Sequence, residues 1–199
     1  MKHLNDNLLC VVTTFLTGPD HQRDDILQIC ITPLDRFLKV DGSIAPFIAT
    51  MNPRRGNCDK DWLGNDFSKM EQLIRNGIDP DFVQDQLEKW FVKYRIRETK
   101  LIMPLAYNWA LSRSFLIDWL SIDSFNGYFD YRYRDIMTAS IYCNDRAYWH
   151  EEDYPYPKHN LTYICNQCGV DYKKSNDIMQ QSMAIAACYR QMMGVFIGV

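Results

Sequence analysis

The chain alternates short apolar runs with polar, turn-rich stretches, and the lengths of these runs predict most of its elements. Residues 8–16 (LLCVVTTFL) and 25–34 (DILQICITPL) are rich in Val, Ile, Leu and Thr, which predicts two strands. A Thr17-Gly18 turn and a polar loop separate them. Residues 35–50 are expected to turn at Asp41-Gly42 and then extend again. From 51 to 67 the pattern dissolves among a proline, two glycines and clustered charges, so an irregular segment is expected.

Helical spacing follows. Ser68 to Asn76 reads as a short helix stopped by Gly77. The next helix has Asp79 as N-cap and Pro80 at its first position, with Val83, Leu87, Trp90, Phe91 and Tyr94 on one face. Residues 99–107 return to strand, and Pro104 there suggests a sheet edge, a bulge or an early end. Residues 109–122 read as a helix exposing Ser112 and Arg113. Residues 128–134 alternate as a half-buried strand, before helices near 136–148, 159–168 and 176–194. Strands first, then strand and helix alternating, then a helical tail describe an α/β layered architecture.

Composition narrows the class. A chain of 199 residues fits one domain spanning 1–199. Its 47% hydrophobic content excludes a disordered chain, and a net charge of −3 argues against a strongly basic nucleic-acid binder while permitting a local basic patch. No run of about 18 apolar residues is present, and Asn and Asp interrupt the start, so a soluble, cytoplasmic protein with no membrane segment is expected. Seven irregularly spaced cysteines fit a reduced compartment better than a disulfide framework.

Three ordered blocks resemble the DEDD 3′–5′ exonucleases. The first strand ending at Thr17-Gly18 resembles the family's opening Asp-x-Glu strand with its Thr-Thr-Gly. AYNWALSRSFL resembles the second motif, and KHNLTYICNQCGV with SNDIMQQSMAIAACYRQMM resembles the terminal pair of helices with its His-x-x-x-x-Asp. YRYRDIMT is similar to an Arg-Asp-Ile-Arg-Thr stretch of the bacteriophage DexA-type branch. The resemblance implies an RNase H-like exonuclease fold, a central mixed β-sheet flanked by α-helices. It also places the family's carboxylates at Thr13, Phe15, Ser112 and Gln181 and its histidine at Asn176.

Active members bind two Mg²⁺ ions, which activate a water and stabilise the leaving oxygen. Hard cations need oxygen ligands with negative charge, and the histidine is the general base. None of the five residues here supplies either function. The resemblance therefore implies a pseudo-enzyme with no catalytic residue, no metal and no cofactor, in the host cytoplasm if phage-encoded.

Other signals compete. Cys165-Asn-Gln-Cys168, with Cys143, His150 and His159 upstream, admits a zinc site. The stretch reads better as an amphipathic helix that turns Leu161, Ile164, Cys165 and Cys168 inward before Gly169. Tyr128, Tyr131, Arg132, Tyr133 and Arg134 interleave aromatics with cations, as single-strand stacking surfaces do, although a half-buried strand explains them more simply. Arg54 and Arg55, near Lys60 and Trp62, are phosphate-contact candidates partly offset by Asp59 and Asp61. Residues 148–157 (YWHEEDYPYP) set acidic side chains beside Trp149 and Tyr154, which suit a protein partner.

The first expectation is thus a non-catalytic exonuclease-like protein binding a host protein or a nucleic-acid end, with a slight preference for protein. The alternative is an active Mg²⁺-dependent exonuclease on single-stranded DNA or RNA whose ligands lie elsewhere. A structural, homo-oligomeric subunit is the third reading.

Overall fold

The structure, a computed structural model, describes residues 6–56, 58–63, 67–173 and 177–194. Strands β1 (Leu8–Leu16), β2 (Ile26–Pro33) and β3 (Phe47–Thr50) come first. Helices α1 (Lys60–Leu63), α2 (Phe67–Asn76) and α3 (Pro80–Lys93) follow, then β4 (Ile102–Ala106), α4 (Trp109–Leu120) and α5 (Ile122–Tyr128). The chain continues through β5 (Arg134–Asp135), α6 (Ile136–Trp149), α7 (Leu161–Gln167) and α8 (Ile178–Met192).

The five strands form one sheet in the order β3-β2-β1-β4-β5. The first three pair antiparallel, while β4 and β5 run parallel to β1. As the central strand, β1 is covered on both faces, which explains its unbroken apolar run. Leu8, Cys10 and Val12 pack with α3, α4 and α5 through Leu87, Phe91, Trp109, Leu116 and Phe125. Leu9 and Val11 pack against α7 and α8 through Ile164, Cys165, Ile185 and Cys188. Each buried Leu, Ile or Val contributes about 1.5–3 kcal/mol relative to its exposed state, so this double-sided strand anchors the sheet.

The capping signals work as the sequence predicts. Asp79 accepts from the N–H groups of Asp81 and Phe82, with Pro80 opening α3. Asp41 turns the chain after β2, accepting from the Ser43 N–H at 2.8 Å. Gly77 is required by a close approach, because a Cβ there would lie 2.7 Å from the Met51 carbonyl carbon.

Three local expectations are corrected. Pro104 lies in β4, an interior strand between β1 and β5. The Ile102 carbonyl accepts from Asp130 N–H, so groups two residues on face β5, and regular pairing with β5 starts only at Leu105. The missing proline N–H therefore falls where the neighbouring strand has no ladder to break. The expected strand at 128–134 is two residues long, because α5 takes the chain through Tyr128. Phe125, Tyr128 and Phe129 have helical spacing, and they stack on Trp109, Phe91 and Phe125 respectively. Finally, Ser112 is buried against the sheet, and only Arg113 of that pair is exposed.

No helix among the described residues is long and apolar enough to cross a membrane.

Candidate functional site

The carboxyl end of β1 is where α4 and α8 approach the sheet from opposite faces. Thr13 points toward α8 and its hydroxyl lies 2.7 Å from that of Ser182, both buried. Beside them, Cys30 pairs across the sheet with Thr13, and its thiol lies 3.3 Å from the Thr32 hydroxyl. The Thr32 hydroxyl in turn donates to the Met179 sulfur at 3.5 Å. Burial pushes the Cys30 thiol up from its ordinary value, against hydrogen bonds from Ser182 and Thr32. The face of the sheet beneath the start of α8 is therefore a neutral, hydrogen-bonded cluster of two threonines, a serine, a cysteine and a methionine.

On the opposite face the Thr14 hydroxyl lies 3.0 Å from that of Ser112 on α4. Phe15 packs against Leu27 and Met70, with Cys58 and Ile74 around them. Of the sequence-derived positions, Thr13, Phe15 and Ser112 thus gather at one end of β1. Gln181 is half-buried on α8, and the residue of α8 that meets Thr13 is its neighbour Ser182. Asn176 lies outside the described residues.

The carboxylates nearest in sequence are held by other partners. Asp118 pairs with Arg55 at 2.8 Å. Asp135 accepts from Trp109 N–H at 2.6 Å and from Met137 N–H at 2.8 Å, capping α4 and α6 together. Asp177 caps α8 through Met179 N–H, and its charge adds to burial in raising the Cys30 thiol. Among the described residues, no group of three or more His, Cys, Asp or Glu side chains converges as a metal site requires.

A feature missed in the sequence sits beside this end of the sheet. Asp24 and Asp25 are buried at the start of β2. Thr17 pairs with Asp25 through both backbone and hydroxyl, and a Cβ on Gly18 would lie 2.3 Å from Asp24 Oδ2. Arg55 closes the cluster, its backbone N–H on Asp25 at 2.7 Å and its guanidinium bridging Asp25 and Asp118. The adjacent Asp24-Asp25 and Arg54-Arg55 pairs were the available signal, but their partnership depends on the β2–β3 geometry.

The eight binding candidates fall in three separate places. Arg54 pairs with Asp81 and Arg55 with Asp25 and Asp118, so neither guanidinium is free for phosphate. Around β5, Arg132 makes two bonds to the Asp130 carboxylate, while Tyr131 is 86% exposed and Tyr133 rests near Trp109. Arg134 donates to the Tyr133 carbonyl at 3.0 Å. These residues lie in a loop and a two-residue strand, not in the half-buried strand expected. Trp149 is the last residue of α6 and Tyr154 lies just past it, at the far end of a helix whose 14 residues span about 20 Å. Trp149 is 80% exposed and stacks edge-on with Tyr148.

The Cys165–Cys168 segment is helical through Gln167, with Cys165 buried and Cys168 at the helix end. Cys188 lies 3.4 Å from Cys165, sulfur to sulfur, with both thiols free.

Asp130 gives a pH test. Hydrogen bonds from Arg132, with a further one from Asn7, hold its carboxyl below its ordinary value. A carboxyl lowered on folding stabilises fully above its unfolded value of about 4, and the contribution fades as pH falls through the folded value. Asp130→Asn is therefore expected to melt lower at neutral pH and to lose less stability on acidification below about pH 4. Melting curves that stay parallel from neutral to acid pH would contradict this.

No family model matches the chain, and no curated protein does. Solved structures do. The nuclease domain of 3′hExo, a DEDDh family member bound to rAMP, has a TM-score of 0.65 at 12% identity, covering 94% of this chain and 92% of that one. An E. coli ExoI–ssDNA complex in its zinc-bound form gives a TM-score of 0.71 at 12% identity, covering 94% of this chain. This chain spans only 40% of that one. Cell-death related nuclease 4 gives 0.64 at 13% identity, covering 94% of this chain and 64% of that one. At these identities the likeness concerns architecture, and it is consistent across all three: the chain has the RNase H-like fold of the DEDDh exonucleases.

Proposed function

We propose that this chain is a catalytically inactive exonuclease-like protein that acts by binding a partner. The observation that carries the reading is the neutral cluster at the end of β1. Thr13 bonds Ser182, Thr14 bonds Ser112, and Phe15 is packed into apolar surroundings. Two divalent cations a few ångströms apart need several carboxylates to offset their charge, and paired hydroxyls with a phenyl ring offer none. In this reading Thr13, Phe15, Ser112 and Asn176 stand where the catalytic residues would be. The terminal position falls on Gln181 or on Ser182 beside it.

The partner is a protein of the host cell or a nucleic-acid end. The net charge of −3, and the engagement of Arg54, Arg55 and Arg132 with Asp81, Asp25, Asp118 and Asp130, favour protein. A phage origin near the DexA-type branch, a cytoplasmic location and a single exonuclease-like unit across 1–199 belong to the same proposal.

Metal titration tests it. The melting temperature is expected to be unchanged by Mg²⁺ or Mn²⁺, because a ligand that does not bind the native state cannot stabilise it. A rise with low Mn²⁺ that disappears in Asp118→Asn or Asp135→Asn would favour the alternative, an active exonuclease with a relocated metal site.

A further inference from the structure

On the α8 side of the sheet lies an open groove of about 600 Å³. Its walls come from three elements: residues 38–40 between β2 and β3, residues 170–173 between α7 and α8, and the outer face of α8. The floor is apolar, formed by Leu38, Val40, Val170, Met183, Ala184 and Ala187. Its rim carries Lys39, Lys173 and Arg190 against the single carboxylate of Asp171.

The walls are built rather than loose. Asp35 accepts from both Phe37 N–H and Lys39 N–H, fixing the turn that presents Leu38 and Lys39. Tyr172 is buried with α8 and Leu38, which ties the opposite wall to the core. Among the described residues, none of the three rim cations lies in an ion pair, whereas Arg54, Arg55 and Arg132 all do. Three cations around an apolar floor form a positive patch on a chain of net charge −3.

We propose that this groove docks an acidic peptide segment, its apolar side chains on the Val40–Met183–Ala187 floor and its carboxylates toward Lys39, Lys173 and Arg190. The charge complementarity selects an anionic occupant, and the apolar floor selects one that also carries hydrophobic side chains. The openness selects a chain over an enclosed small molecule: Val40 is 37% and Met183 52% exposed, so the trough has no roof. The inference deepens the binding reading above by naming a partner class and rests on that reading. It does not depend on the loss of nuclease activity, which is measured separately.

The test is fluorescence anisotropy of the whole protein with a short fluorescein-labelled peptide of alternating glutamate and leucine. The same peptide with glutamine for glutamate, its lysine counterpart and a labelled oligothymidylate serve as comparison probes. The acidic peptide is expected to bind in a salt-sensitive manner and more tightly than the other three. The double variant Lys39→Glu/Arg190→Glu is expected to weaken binding roughly tenfold or more. Lys173→Glu, on an exposed connection, should weaken it in the same direction, and Ala187→Trp should block the floor while the charges remain. Far-UV circular dichroism checks that each variant is folded. No binding by the wild type, equal binding of the glutamine peptide, or affinity unchanged by the charge reversals would overturn the proposal. Tighter binding of oligothymidylate with the same dependence on Lys39 and Arg190 would overturn it too, in favour of a nucleic-acid surface. Catalytic inactivity would stand in each of these cases.

Discussion

Installing aspartate at both Thr13 and Ser182 is expected to lower the melting temperature by roughly 8–16 °C in metal-free buffer at neutral pH. Both side chains are buried and face one another at 2.7 Å, so the new carboxyls would meet in a space with no cation. Desolvation and mutual repulsion raise such groups by several pK units, which corresponds to about 4 kcal/mol for a three-unit rise. For a chain of this size each kcal/mol moves the midpoint by about 2–4 °C. The pH dependence identifies the cause. A carboxyl raised on folding carries no penalty below its unfolded value near 4, and the penalty grows as pH rises toward the folded value, so the deficit should shrink on mild acidification. Adding Phe15→Glu and Ser112→Asp completes a four-carboxylate set, and Mg²⁺ or Mn²⁺ should then recover part of the loss. A double variant as stable as the wild type at neutral pH would show that this end of β1 is more open than its burial implies.

Asp135→Ala is expected to cost about 2–4 kcal/mol, because one carboxylate serves two helices. It accepts from Met137 and Thr138 N–H at the start of α6 and from Asn108 and Trp109 N–H at the start of α4. Asn108 takes a left-handed conformation there, with φ of 57°, so the approach to α4 depends on this anchor. Asp135→Asn keeps an acceptor oxygen and should recover about half of the loss. Urea unfolding provides the measurement, and a loss no larger than that of an ordinary single cap, about 1 kcal/mol, would mean that α4 does not rely on Asp135.

Much of this architecture was legible because local chemistry and burial agree. The apolar runs of β1 and β2, the Asp79-Pro80 start of α3 and the Asp41 turn each depend on neighbours in sequence, and each is found where expected. The failures share a cause in partners distant along the chain. Tyr128 and Phe129 read as the start of an alternating strand until Phe91 and Trp109 are known to face them. Pro104 fits an interior strand only because β5 is too short to need its N–H. At the candidate site, the neutral character of Thr13, Phe15 and Ser112 was visible in sequence. Their arrangement as two hydroxyl pairs on opposite faces of β1 was not, nor was the meeting of Thr13 with Ser182 rather than Gln181. Arg54 and Arg55 looked available for phosphate because Asp81, Asp25 and Asp118 lie 27, 30 and 63 residues away.

The central claim, that the fold persists here without its chemistry, is tested most directly by a nuclease assay on purified protein. The substrates are 5′-labelled single-stranded DNA and RNA, with Mg²⁺ or Mn²⁺ and a parallel EDTA control. No shortening of either strand above the EDTA control is the expected result, for the wild type and for Ser112→Ala alike. Stepwise shortening from the 3′ end that follows the protein through purification and stops with EDTA would contradict the account, and its loss in Asp118→Asn or Asp135→Asn would locate the metal.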